Sequence, residues 1–535
     1  MALFGLDKYR QMLIIDFRTD FFITQDKRKD QKSMKKHSIA EYVQLIESHN
    51  LLIYHDLPRD TAKKTVQKLA YNSNKVGPDT LFICKGASFR EEYLDTAIRN
   101  GAIMYISEVN YHKPIPCLVV NDIQKTLSLA ANLYYNYPWK NLTLIGITGT
   151  KGKSTTSYYV KYIVDEYSKD HGQAAAGIIS SIDTYDGKTT RESHLTTPES
   201  LELQMHFSNA TNRKLPYMVT EVSSQALKYG RLYGVRFDVG VFLNISEDHI
   251  SAIEHSDMED YFSSKLTLFK QCQTACVNLD SDRAARILEA AQSADRVLTF
   301  GTRPEADIYG YNIRKDGFDT VFKVRTKKFD RDFRLTMPGL FNVENALAAI
   351  AVAYALNIPE EYIYRGLEKA RSSGRMEIYT SNNRDKIIIV DYAHNKLSFD
   401  KLYESAKSEY PDRKIFTVFG CPGGKAFVRR RDLGLLSGLY SDKVFLTAED
   451  PGDESVKAIC EDIAQYVRAN NDNYEIIEDR EEAIKEAIMQ TEPNALILIT
   501  GKGNETRQKI GKEYIPCHSD VEVVKKYLEE YDKAK

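Results

Sequence analysis

Short unbroken apolar runs recur along the chain. Most are followed by a longer stretch whose apolar residues return every three or four positions. "TLFICKG", "AIMYIS", "LTLIGIT", "PYMVTEVS", "FDVGVFLNIS", "TACVNL" and "RVLTFG" read as strands, and so do "KIIIVDYA", "KIFTVFG", "KVFLTAED" and "ALILITG". "IQKTLSLAANLYYNY", "STTSYYVKYIVDEYS" and "NVENALAAIAVAYAL" read as helices. An apolar run with no polar alternation is the mark of a strand covered on both faces, as in parallel sheets. Strand alternating with helix therefore predicts an α/β chain of doubly wound parallel sheets. The turn-rich "YPWKN" marks one boundary, and a new run of alternating elements begins at "GRMEIY". These breaks divide the chain into an extension over 1–38, then 39–139, 140–372 and 373–535. The charged "QDKRKDQKSMKK" before "HSIAEY" is expected to order poorly and to lie outside the folded body.

Composition narrows the function classes. A length of 535 residues suits about three or four domains. With 42% hydrophobic and 28% charged residues, the chain can bury large cores. A net charge of -2 gives no basic field for nucleic acid and no polybasic anchor for a membrane. Seven cysteines, odd and scattered, suit a reducing compartment rather than a disulfide framework. The N-terminal apolar run is broken by Asp16 and Arg18 and lacks a cleavage site, so a signal peptide is not expected. The expectation is a cytoplasmic, monomeric protein without a membrane span.

The first candidate chemistry is "GITGTKGKSTTS", residues 146–157. A strand, a glycine-rich turn, Lys153, Ser154 and a helix form the context in which backbone N–H groups and a helix dipole hold phosphate. The usual spacing G-x-x-x-x-G-K-[ST] would put the first glycine at 147, where Ile147 stands. Gly149 comes two positions late. Thr148, Gly149, Thr150, Lys151, Gly152, Lys153 and Ser154 are the candidate phosphate-binding residues. Lys153 would bring a point charge to the terminal phosphates and Ser154 a hydroxyl to magnesium.

Three further pieces follow: "EVSSQALKYGR", "LNISEDHI" and "DYFSSKLTLF". They place Glu221 at a strand end, His249 just past another strand, and Lys265 in an amphipathic helix. Alone, each is most simply a cap, an ion pair or a solvated side chain. In this order, behind the shortened loop T-G-T-x-G-K-S, they resemble the Mur ligase family, whose loop is shared by folylpolyglutamate synthase. The resemblance covers nearly all of 40–530. It implies an N-terminal uridine-nucleotide-binding α/β domain, a central ATP-binding parallel sheet and a C-terminal Rossmann-like domain. It further implies that Glu221 and His249 bind magnesium beside Ser154, and that Lys265 is carbamylated. A carbamate turns the cation into an oxygen anion that a hard metal prefers. The family often reads D-H-L-D-x-H where this chain has "DHISAIEH", which leaves His255 a weaker candidate than His249.

Within the family, "YNSNKVGPDTLFICKG" and "HLTTPES" resemble the branch that adds the third residue of the stem peptide. There the resemblance assigns Ser73 to the uridine nucleotide, and Thr196, Thr197, Ser223 and Arg231 to the muramoyl dipeptide. It assigns Asn342, Asn345, Arg375, Asp391 and His394 to ATP. In "VDYAHNK", Asn395 and Lys396 depart from the family pattern. The implied reaction uses ATP and Mg2+ to join an amino acid to the D-glutamate of UDP-N-acetylmuramoyl-L-alanyl-D-glutamate through an acyl phosphate. Diaminopimelate-adding members carry D-N-P-R, whose arginine reads a carboxylate. This chain has "AEDPGDES", with Gly452 at the arginine's place. Glu449, Asp450, Asp453 and Glu505, with Lys425 for the α-carboxylate, are the candidate amino-acid contacts. Acids without an arginine suit a side-chain ammonium, so L-lysine is expected. meso-Diaminopimelate and L-ornithine stay open, since one methylene is worth only about 1–3 kcal/mol in a pocket. A folate polyglutamylating ligase and a non-catalytic nucleotide sensor are the rival functions.

Overall fold

The computed structural model describes residues 35–535 apart from 87, 88, 194, 248, 249, 251–253, 318, 338, 340 and 373. Three α/β layers follow one another along the chain, each around its own sheet. Lys36–Lys535 cluster as one unit.

The first sheet has five strands in the order Leu52–His55, Cys117–Val120, Ala102–Ser107, Thr80–Ile83 and Lys68–Ala70. All neighbours run parallel except Leu52–His55, which closes one edge antiparallel to Cys117–Val120. Ser38 caps the helix Ile39–Ser48 in a reciprocal capping box with Glu41. His37 bonds to Glu41 and Asn136, at 2.9 Å each, so order begins before residue 39. Most of the proposed extension lies outside the described residues.

The middle sheet has eleven strands. Near its centre lies Thr143–Thr148, flanked in parallel register by Tyr217–Glu221 and Phe237–Phe242. The expected parallel strands form the body of this sheet, and antiparallel strands extend it at both ends. Ile308–Asp316, Asp319–Arg325 and Asp330–Leu335 form an antiparallel meander at one end, and Gly177–Ile179, Asp183–Tyr185 and Thr190–Glu192 form one at the other. These outer strands are charged and half-buried, which blunts the edges of a large sheet. The helix Lys153–Asp170 packs on the sheet beside the helices Asn342–Ala355 and Glu360–Lys369, which also touch its strands. That burial explains why "NVENALAAIAVAYA" is apolar on nearly all sides.

The third sheet has six strands in the order Glu377–Thr380, Lys386–Asp391, Ala495–Thr500, Lys414–Phe419, Lys443–Leu446 and Tyr474–Ile476. All but the first pair are parallel. A separate hairpin, Arg507–Ile510 and Glu513–Pro516, leans on the loop at 449–453. In parallel α/β sheets, ligands gather at the carboxyl ends of the strands. Here the candidate residues of the second and third sheets occupy those ends.

Candidate active site

Register explains why three distant motifs meet. Glu221 pairs with Ile147, and Phe242 with Thr148, so the loops after all three strands emerge side by side. The phosphate loop lies in the middle, with Glu221 on one side and "LNIS" on the other.

The late glycine has a structural reason. Gly149 has φ +153, and a Cβ there would lie 2.8 Å from Leu243 Cβ. Gly152 has φ +82 and caps the helix that begins at Lys153. A Cβ on it would come within 2.1 Å of Asn345 Oδ1. The loop is thus pressed between the "LNIS" segment and the buried asparagine helix. Asn345 donates to Asn342 Oδ1 at 3.0 Å and accepts from Thr156 Oγ1 at 3.3 Å. Lys153 Nζ folds back on the loop carbonyls of Gly149 at 2.9 Å and Thr150 at 3.1 Å. Asn244 accepts from Lys151 N at 2.8 Å and returns a bond to Lys151 O at 3.2 Å. Sequence reasoning passed over Asn244, although its place just past a strand end was a signal. Thr150 Oγ1 accepts from Ser246 N at 3.1 Å and meets Tyr261 OH at 3.1 Å. Thr148 is fully buried at the strand end.

Lys265 is 1% exposed, and its Nζ donates to the same Gly149 carbonyl at 2.9 Å. It also stands over the Tyr261 ring, 4.5 Å from the centroid. Two amines, Lys153 and Lys265, therefore converge on one oxygen beside the phosphate loop. Glu221 is fully buried. Its Oε1 accepts from Ser181 N at 3.0 Å, while its Oε2 has no hydrogen-bond partner among the described residues. An orphaned carboxylate oxygen in a protein interior is costly unless a cation or donor completes it. Ser181 Oγ lies 3.0 Å from Ser154 Oγ, which also accepts from Arg375 Nη2 at 3.3 Å. Ser181 was another residue the motifs did not flag. His249 lies outside the described residues. His255 is engaged by Ser224 at 3.0 Å and Asp260 at 3.3 Å.

Toward the first sheet, Thr197 Oγ1 donates to Glu221 O at 2.8 Å and accepts from Ser223 N at 2.9 Å. Arg231 donates to Thr197 O at 3.1 Å and pairs with Glu199 at 3.0 Å. Glu199 also pairs with Lys85, which follows the strand Thr80–Ile83. This chain of charges ties the first sheet's rim to the dipeptide candidates. Thr196 is half-buried beside them. Ser73, also half-buried, opens a short 3-10 turn, and its carbonyl accepts from Asn100 at 3.1 Å.

The third sheet faces the phosphate loop. Asp391 accepts from Met376 N and Ala393 N at 2.8 Å each. Burial pushes its carboxyl above the ordinary range, against the pull of Arg375. His394 Nδ1 lies 2.7 Å from Tyr392 O. Arg375 rests on the Tyr392 ring at 4.4 Å, and Tyr392 OH donates to Glu505 at 2.8 Å. An open cleft of about 280 Å³ runs between these groups, lined by Lys151, Asp280, Phe341, Asn342, Asn345, Arg375, Asp391 and Lys401. A smaller cavity connects Ser181 and Arg375 to Tyr392, Lys502 and Glu505.

The acidic cluster is less open than its sequence suggests. Lys502 pairs with Asp450 and with Glu505, at 2.9 Å each. Glu454 is held by both terminal nitrogens of Arg430. Burial pushes Glu449 up to about 7, with Arg429 pulling the other way. Asp453 lies by the hairpin turn at Gly511, and Lys425 is exposed on the loop after Lys414–Phe419.

Residues 147–353 match the Mur ligase middle domain, and 374–503 match the Mur ligase, glutamate ligase domain. UDP-N-acetylmuramoyl-L-alanyl-D-glutamate--L-lysine ligase of Streptococcus suis is 39% identical over 86% of this chain and 92% of its own length. Among solved structures, UDP-N-acetylmuramoyl-L-alanyl-D-glutamate--2,6-diaminopimelate ligase aligns with TM-score 0.65 at 23% identity, covering 93% of this chain and 99% of that one. Mycobacterium tuberculosis folylpolyglutamate synthase, complexed with ADP and AMPPCP, aligns with TM-score 0.59 at 16% identity over 70% of this chain and 92% of that one. The domain matches take in the phosphate loop with its flanking strands and the facing third sheet, and the identity extends over most of both chains: the protein belongs to the Mur ligase family.

Proposed function

We propose that the protein is an ATP-dependent amide ligase that adds L-lysine to the D-glutamate of UDP-N-acetylmuramoyl-L-alanyl-D-glutamate in peptidoglycan precursor synthesis. The observation that carries the chemistry is the convergence of Lys153, Lys265, Ser154 and the orphaned Glu221 oxygen around one phosphate loop. The 39% identity to a relative named for lysine supports the amino acid.

In this reading, 39–139 holds the uridine nucleotide with Ser73, 140–372 holds ATP and the dipeptide, and 373–535 brings the amino acid. The dipeptide carboxylate lies by Thr196, Thr197, Ser223 and Arg231. Thr148 through Ser154 hold the phosphates, with Arg375 on Ser154. Asn342, Asn345, Asp391 and His394 frame the remaining nucleotide cleft. The carboxylate oxygen attacks the γ-phosphorus, ADP leaves, and the α-amine then displaces phosphate from the acyl carbon. Lys153 and Arg375 neutralise charge that grows on the transferred group. The amino acid enters near Tyr392, with Lys425 for its carboxylate and the cluster of Glu449, Asp450, Asp453 and Glu505 for its ammonium.

The residues fit a magnesium ion. Glu221 Oε2 is buried without a partner among the described residues, and the Ser154 hydroxyl is one serine away. His249 and a carbamylated Lys265 would complete the set. Carbamylation joins the neutral lysine nitrogen to carbon dioxide and releases one proton. When bound, the metal neutralises the phosphate oxygens as a hard Lewis acid.

No helix among the described residues is long and apolar enough to cross a membrane, and all seven cysteines are free. Both suit a cytoplasmic site of action, and the reading is of a monomer. The deciding assay supplies UDP-N-acetylmuramoyl-L-alanyl-D-glutamate, ATP and an equimolar mixture of L-lysine, L-ornithine and meso-diaminopimelate, with the product identified by mass. The lysyl product is expected. A diaminopimelyl product would overturn the pocket reading, and folate as the only acceptor would overturn the function.

A further inference from the structure

Lys502 stands where the acidic cluster was expected to receive an ammonium from outside. It follows the strand Ala495–Thr500 and is 3% exposed. Its Nζ reaches three acceptors: Asp450 Oδ1 at 2.9 Å, Glu505 Oε2 at 2.9 Å and Arg507 O at 2.6 Å. An ammonium has three protons and no acceptor, so these contacts satisfy it completely. Asp450 and Glu505 keep part of their side chains open, at 21% and 29% exposure. Glu505, Lys502, Tyr392 and Arg375 line the cavity that opens toward Ser181.

The two acids are also fixed from the other side. Asp450 Oδ1 accepts from Lys509 N at 3.1 Å, and Glu505 Oε1 accepts from Tyr392 OH at 2.8 Å. Arg507, whose carbonyl completes the Lys502 set, sends its guanidinium to Ser193 O at 3.0 Å in the middle layer. The gap between Asp450 and Glu505 is thus a finished ammonium site filled by the protein's own side chain. Two carboxylates around one ammonium carry one net negative charge. Two carboxylates alone would repel each other and draw in the nearest small cation.

We propose that Lys502 is a positioning residue of the amino-acid site: its ammonium occupies the Asp450–Glu505 gap, so that the substrate's ammonium is kept out of that gap and held at the cavity face. This rests on the reading that the cavity receives a cationic amino acid. Without Lys502, the side chain of L-lysine settles into the gap and its α-amine is drawn away from the acyl carbon. The amino acid still binds, but in a position that does not react.

The test uses the full-length protein with Lys502→Ala. kcat with L-lysine should fall at least about tenfold, and KM for L-lysine should fall with it by a similar factor, as unproductive binding requires. KM for ATP and for the UDP-dipeptide should stay within about twofold. Millimolar propylammonium should restore kcat, whereas propanol of the same size should not. Rescue by charge and not by bulk separates positioning from packing. If Lys502→Ala melts well below the wild type, Lys502→Arg and Lys502→Met replace it, with activity kept in Arg and lost in Met. Wild-type activity in the Ala or Met variant, failure of propylammonium, or a joint rise of all three KM values would overturn the proposal. If the wild type joins a different amino acid, the lysine reading fails, and the same alkylammonium rescue is then run with that amino acid and still decides the role of Lys502.

Discussion

Around the phosphate loop, shape comes from backbone. Gly149 and Gly152 adopt positive φ where Leu243 and Asn345 leave no room for a side chain, and the loop's neighbours are strand ends set by parallel register. Around the amino-acid cavity, shape comes from charge. Asp450, Glu505 and Lys502 balance one another, and Glu454 is spent on Arg430. A backbone cradle is specified by a few adjacent residues. A balance of charges also needs partners as far as 52 positions apart in the chain. The first kind of site is legible as a motif. The second reads as surplus charge until its partners are placed.

The comparison predicts that damage to the cradle exceeds damage to the balance. Lys153→Ala should lower the rate of ATP-dependent lysine incorporation by about 1000-fold, read as product mass in single-turnover assays. A loss below tenfold would remove the loop from the chemistry. Lys265→Ala should cost about 100-fold and recover in part with added acetate or formate, as expected for a missing carboxylate. Full activity without rescue would leave the carbamate without a role.

Glu449 tests the charge-built side through stability. Its folded-state carboxyl is raised to about 7 by burial, above its ordinary value of 4.5. The folded state therefore holds a proton that the unfolded state has released. Stability is largest below the ordinary value and is lost as pH rises through about 7. Between pH 5 and pH 8 the wild type should lose roughly 2–3 kcal/mol relative to Glu449→Gln, measured by urea denaturation. Parallel curves for the two proteins would show that Glu449 ionises freely.

The smallest effect belongs to the exposed Lys425. Lys425→Ala should raise KM for L-lysine by about threefold to tenfold with kcat unchanged, since a solvated ion pair contributes little. A larger loss would mean that the loop closes over the substrate and desolvates it.

The parallel cores were legible from apolar runs, and the strands at 143–148, 217–221, 237–242, 386–391 and 495–500 fall within the quoted segments. The meander at 308–335 was not. Its strands alternate charged and apolar residues because one face is wet, and nothing in "IRKDGFDTVFKVRTKKFDRDFRL" resembles a buried parallel strand. Among candidate residues, Glu221, Ser154, Lys153 and Lys265 carried motif signals. Ser181 did not, and Asn244 and Lys502 lay within or next to quoted segments without being singled out, because each acts by touching another site residue.

By itself, the chain's order of apolar and polar positions determined the α/β class, and motif residues close together in sequence carried the family resemblance and the candidate phosphate loop, because these depend on local periodicity and on residues adjacent in sequence. Only the tertiary structure decided which acids keep a charge to offer, why the loop's first glycine stands at 149, and that Lys502 already fills the gap between Asp450 and Glu505. Those outcomes depend on distances between remote residues. Electrostatic balance and steric room exist only once the chain has brought those residues together.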